Sequence, residues 1–119
     1  MIDAANVVGS RPTGWWRDRA GAARTFVARV REATAAGSLS EPVVVVLEGQ
    51  ARAGASEGVS DGVEVVHAAG EGDDTLASLA ATGDRPVTLV TADRGLSERA
   101  RQAGAEVVGP TWLLDRLDG

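Results

Sequence analysis

The feature that most limits how this chain can fold is "PVVVVL", residues Pro42 to Leu47, a β-branched block with no polar interruption. Side chains of a strand alternate between its two faces, so a strand that is apolar at every position has to be covered on both. A parallel sheet with helices on either side meets that requirement, and a sheet with one face in water does not. "GVEVVH" at Gly62 to His67, "PVTLVT" at Pro86 to Thr91 and "AEVVG" at Ala105 to Gly109 repeat the theme, alternating with helical patterns. The start of the chain holds a fifth, shorter strand. Only Met1 and Ile2 precede Asp3, so either this strand continues through "DAANVV" or the chain lacks a few natural residues at its start.

Apolar residues three and four apart mark the helices. Trp16, Ala20, Ala23, Val27 and Val30 share one face of a helix expected from about Trp16 to Ala35, with Gly37 as its stop. "GDDTLASLAA" opens a second, with Asp73 or Asp74 as N-cap and Leu76, Leu79 and Ala80 toward the sheet. "LSERARQAG" turns Leu96, Ala100 and Ala103 inward and ends at Gly104, and "TWLLDRL" packs Trp112, Leu113 and Leu117. The 119 residues, 1–119, are expected to form one α/β domain.

Composition removes several chemistries. Without cysteine there is no disulfide framework or thiolate metal site, and one histidine cannot make a multi-histidine zinc cluster. No apolar run approaches the roughly 20 residues of a membrane span and no signal-peptide pattern opens the chain, so a soluble, cytoplasmic protein without a membrane partner is expected. A net charge of −5 argues against nucleic-acid binding by general basicity, though not against a nuclease. All 12 cations are arginines, and half of them, Arg11, Arg17, Arg19, Arg24, Arg29 and Arg31, fall in the first third. Guanidinium groups suit phosphates, and they are equally the ordinary solubilising charge of such a composition.

Acids recur where the strands end. Asp3 follows the first strand, Glu48 follows "VVVVL", Asp73 and Asp74 open a helix beyond the third strand, and Asp93 follows "VTLVT". In an open parallel sheet, ligands bind outside the carboxyl ends of the strands, so these acids should converge on one edge. Clustered carboxylates repel, and a hard divalent cation such as Mg²⁺ or Mn²⁺ is the usual compensation for an all-oxygen set. Each acid singly also reads as a helix cap, and the "GDD" pair as a complement to a helix dipole. Capping gives no reason for acids at four strand ends, however, so Asp93 reads more naturally as a metal ligand than as a cap alone.

"DAAN" at Asp3 to Asn6, "VVVVLEG" through Glu48, "GDDTL" at Asp73 and Asp74, and "VTADRGL" through Thr91 and Asp93 together resemble the PIN-like nucleases, especially their NYN branch. The resemblance runs along almost the whole chain. It departs from the family pattern in a glutamate at 48 where aspartate is commoner, in a clipped first strand, and in the "GSRPTGWWRDR" insertion after Asn6. It implies a three-layer PIN-like (Rossmann-like) domain, a parallel sheet of about five strands flanked by helices. It also implies metal-dependent hydrolysis of phosphodiesters, mostly in single-stranded RNA, and a possible homodimer. On that basis Asp3, Asp73 and Asp93 would hold one or two Mg²⁺ or Mn²⁺ ions, Asp74 and Glu48 would support these ligands or bind the second ion, and Asn6 and Thr91 would orient a carboxylate or touch phosphate. Asn6 serves equally well to tie down its own loop.

Trp15 and Trp16 stand out in a chain with few aromatics. Trp16 fits the buried face of the first helix, leaving Trp15 to stack on a base while Arg11, Arg17 and Arg19 hold the backbone. His67 ends a strand and has no duty in such a mechanism. A haloacid-dehalogenase-type phosphatase or a response-regulator receiver would resemble systems that need a lysine, and the chain has none. The "GxxxxGK" loop of a P-loop hydrolase is missing too. A nucleotide pyrophosphohydrolase using the same acids, or a noncatalytic RNA-binding or regulatory PIN-like module, remains as an alternative.

Overall fold

The computed structural model describes residues 1–9, 17–40, 42–68 and 87–118. Within them run β1 (Ile2–Asp3), α1 (Ala4–Val8), α2 (Arg19–Ala35), β2 (Val43–Leu47), a 3-10 segment (Gly49–Gly54), β3 (Gly58–Ser60), β4 (Val63–His67), β5 (Thr88–Val90), α3 (Arg94–Gln102), β6 (Glu106–Val108) and α4 (Pro110–Asp118). The sheet order is β3-β4-β2-β1-β5-β6. Short as it is, β1 is central, paired in parallel to β2 on one side and to β5 on the other.

The uninterrupted valines of β2 do what their pattern demands. Val43, Val45 and Leu47 enter a core with Ile2, Val7, Phe26, Val27, Val30 and Leu113, under α1, α2 and α4. Val46 enters a second core on the opposite face, with Leu89 and with Leu96 and Ala100 of α3. Helices therefore cover both faces. Right-handed crossovers that step away from β1 in opposite directions send their helices to opposite faces, which accounts for α2 on one side and α3 on the other.

Three expectations need correction. The sheet has six strands and is mixed, because β3 runs antiparallel to β4. Ser60 pairs with Val63, so the connection is the two residues Asp61 and Gly62, at φ 54° and 78°. Such a pair at positive φ makes the tight turn whose twist matches a hairpin, and Asp-Gly is among its preferred sequences. Second, "DAANVV" does not continue the first strand: the Asp3 side chain accepts from the Asn6 amide and the chain turns at once into α1. Third, the long helix starts at Arg19 rather than near Trp16, because the Asp18 carboxylate caps it by accepting from Gly21 N at 2.9 Å. Trp16 and the helix expected at "GDDTLASLAA" lie outside the described residues.

The helix ends follow their glycines. After α2, Gly37 N donates to Thr34 O and Ser38 N to Ala33 O, with Gly37 at φ 83°. After α3, Gly104 N donates to Arg101 O and Ala105 N to Ala100 O, with Gly104 at φ 90°. Both are the paired closing bonds of a Schellman motif, which needs a left-handed residue at that step.

Candidate functional site

From β1 the sheet grows toward β2 and β4 on one side and toward β5 and β6 on the other. The gap between the carboxyl ends of β1 and β5 is therefore the switch point of the sheet, where diverging helices leave a crevice. Asp3 is the last residue of β1, and Thr91 to Asp93 follow the last residue of β5.

Four of the expected site residues meet there. Asp3 is buried at 7% exposure, and Thr91 at 2%. The Thr91 hydroxyl donates to Asp3 Oδ2 at 3.0 Å and accepts from the Asp93 amide at 3.1 Å. The Asn6 amide donates to Asp3 Oδ1 at 3.4 Å, while the Asn6 side-chain oxygen accepts from Ala92 N at 2.7 Å. Asn6 thus does more than order its own turn: it clamps the start of α1 to the loop after β5, 86 residues on. Asp93 is half-buried and caps α3, accepting from Leu96 N at 2.9 Å through Oδ1, and its carbonyl accepts from the Ser97 hydroxyl at 2.7 Å. Its capping role is real, and it is combined with a place on the candidate edge.

The other expected residues are placed less tightly. Glu48 ends the extended segment of β2 and precedes the 3-10 segment, and it shares with Arg19 the lining of a small hollow of about 80 Å³ on the α1–α2 side. Arg17 is exposed just ahead of α2. Asp73, Asp74, Arg11 and Trp15 lie outside the described residues. Among the described residues, no group of three or more histidine, aspartate or glutamate side chains comes close enough to hold a metal ion. The described candidates that fit Mg²⁺ or Mn²⁺ by type are the carboxylates of Asp3, Glu48 and Asp93, oxygen ligands of the kind such ions take.

Two further residues shape this edge, and sequence reasoning passed over the first of them, Arg52. Arg52 Nε donates to Gly49 O at 3.0 Å and its Nη1 to Ala68 O at 3.4 Å, tying the 3-10 segment to the end of β4. His67 Nε2 lies 2.7 Å from Ala55 O, so its ring holds the loop before β3.

No family model, curated protein or solved structure matches this chain. The likeness to the PIN-like nucleases is therefore one of sequence motifs alone. No helix among the described residues is long and apolar enough to cross a membrane.

A larger hollow, about 790 Å³, opens at the other end of the sheet, against Met1, Val43, Thr88 and Trp112. Its walls are mainly apolar, and the Arg116 guanidinium at its rim stacks 3.7 Å over the Trp112 ring. Size alone does not make it the site: it sits at the amino ends of the strands, away from the carboxylates.

Proposed function

We propose that the chain is a metal-dependent ribonuclease, cleaving phosphodiester bonds of single-stranded RNA, with Asp3 at the centre of its site. The observation that carries this reading is the chain of contacts from Asp93 N through the Thr91 hydroxyl to Asp3 at the switch point. A buried carboxylate held by a hydroxyl and an amide keeps its geometry without reorganising, as preorganised catalytic groups do. Asp3, Asp73 and Asp93 would hold Mg²⁺ or Mn²⁺, with Asp74 and Glu48 beside them. The ion would supply a Lewis acid and an activated water. Thr91 and Asn6 keep Asp3 and the loop of Asp93 in register, and Arg11, Arg17, Arg19 and Trp15 are the groups suited to the RNA strand.

One observation favours a second reading, a noncatalytic RNA-binding module: the Asp3 and Asp93 carboxylates both serve as helix caps. The deciding experiment incubates wild type and Asp3→Asn with single-stranded RNA, DNA and nucleoside triphosphates, with Mg²⁺ or Mn²⁺ and with EDTA. Metal-dependent RNA cleavage that disappears in a folded Asp3→Asn supports the nuclease. RNA binding without turnover of any substrate supports the module, and pyrophosphate release from nucleotides alone would replace both with a pyrophosphohydrolase.

A further inference from the structure

Beside the candidate site lies a groove of about 490 Å³ between α3 and the end of β6. Thr91 and Ala92 are part of its lining, so it adjoins the loop that follows β5 at the switch point. Arg94, Ser97, Glu98 and Arg101 make its α3 wall, and Val107, Val108 and Gly109 make the other. Seven residues are nearly two whole turns, so Arg94 and Arg101 stand on one face of α3, separated by about 10 Å along its axis. Both are exposed. The Ser97 hydroxyl is already spent on Asp93 O.

We infer that this groove is the path of the RNA strand away from the reacting phosphate, with Arg94 and Arg101 each on a backbone phosphate. The inference rests on the nuclease reading for its substrate class. The charge pattern supports it. In a chain of net −5, α3 holds Arg94, Arg99 and Arg101 against Glu98 alone, and two of those arginines face this groove. A strand leaving a site centred on acids needs such cations to offset phosphate repulsion from Asp3 and Asp93. Glu98 lies in the same wall and opposes binding, which gives the inference a test of opposite sign. The wall at Gly109 is open: a Cβ built there meets no atom within 4 Å.

The experiment measures anisotropy of a short fluorescein-labelled oligouridylate in EDTA over a salt series, with cleavage of the same oligonucleotide in Mg²⁺. Arg94→Ala plus Arg101→Ala should weaken binding about tenfold and lower the log–log salt slope by about 1.4, at roughly 0.7 for each phosphate contact on a single strand. Glu98→Gln should tighten binding. Gly109→Glu, which adds a carboxylate to the groove without crowding, should weaken binding with an unchanged melting temperature. Arg116→Ala, the loss of one positive charge at the opposite end of the sheet, should leave affinity as it is, whereas Arg94→Ala or Arg101→Ala alone should weaken it. If the wild type binds and cleaves RNA but the groove variants match it, the path is wrong and the nuclease reading survives. If binding follows the predicted order yet nothing is cleaved, the groove stands and catalysis falls. Equal weakening by Arg116→Ala would overturn the groove in favour of diffuse charge.

Discussion

The Thr91 hydroxyl is the narrowest link in the candidate site, and removing it gives a quantitative prediction. Valine keeps the shape of threonine, so Thr91→Val deletes two hydrogen bonds with little change in packing. One is charge-assisted, to Asp3 Oδ2 at 3.0 Å, and the other comes from the Asp93 amide at 3.1 Å. At 2% exposure, water cannot readily replace the hydroxyl. A hydrogen bond to a charged group contributes roughly 1.5–3 kcal/mol and a neutral one roughly 0.5–1.5. Part of this is recovered by the apolar methyl, so a net loss of about 2–4 kcal/mol is expected. For a domain of this length that lowers the melting temperature by roughly 8–16 °C. Thr91→Ser keeps both bonds and loses only a methyl group, a cost of about 1 kcal/mol. Denaturant unfolding of the three proteins checks the order wild type, serine, valine. A valine variant as stable as the serine variant would refute the argument that the hydroxyl holds Asp3 in place.

Three further outcomes follow from the same structure. Gly54→Ala should be strongly destabilising, by roughly 2–3 kcal/mol, because its Cβ would stand 2.3 Å from the Ala20 carbonyl oxygen and 2.9 Å from Arg24 N, backbone atoms of α2 that cannot step aside; an unchanged melting temperature would show that the 3-10 segment packs elsewhere. Asp93→Asn should be close to neutral in stability and Asp93→Ala should cost about 1 kcal/mol, since asparagine caps a helix as well as aspartate does; thermal melts of the pair check this, and equal loss in both would mean that the charge matters more than the cap. Burial lowers the Met1 ammonium from 8.0 to about 6. Between those values the unfolded chain binds more protons than the folded one, so stability should rise from pH 6 to pH 8 by up to roughly 3 kcal/mol, and an N-terminally acetylated chain should lose that component of the slope.

The parts of this fold that repeat a simple period were legible in the sequence. Val43 to Leu47 announced a strand covered on both faces, and Leu96 with Ala100 announced the inner face of α3. Gly37 and Gly104 announced helix ends, which the positive φ of both makes good. β3 was missed because three exposed residues, Gly58 to Ser60, carry no apolar pattern. Its signal was the turn instead, the Asp61–Gly62 pair between Ser60 and Val63. The acids of β1 and β5 were legible as edge residues, but their contacts were not. Asn6 and Ala92 are 86 residues apart, and a sequence cannot show that one clamps the other until the strand order brings β1 beside β5.

That strand order also removes the rivalry between capping and chemistry. In a parallel sheet each strand delivers its last residue to the start of a helix, so an acid there meets the helix amides and the ligand edge together. Asp3 precedes α1 and Asp93 precedes α3, and both make the cap. Capping alone would leave the two helix starts independent of each other. They are joined twice, by Thr91 between Asp93 N and Asp3, and by Asn6 between the first turn of α1 and Ala92 N. A helix needs only its own first turn for a cap, so these cross-links stabilise something more: the relative position of two carboxylate-bearing strand ends. If that position serves chemistry, a Thr91→Val protein restored to wild-type stability by substitutions far from the edge should still cleave RNA poorly. Full activity in such a protein would mean that the cross-links serve only the fold.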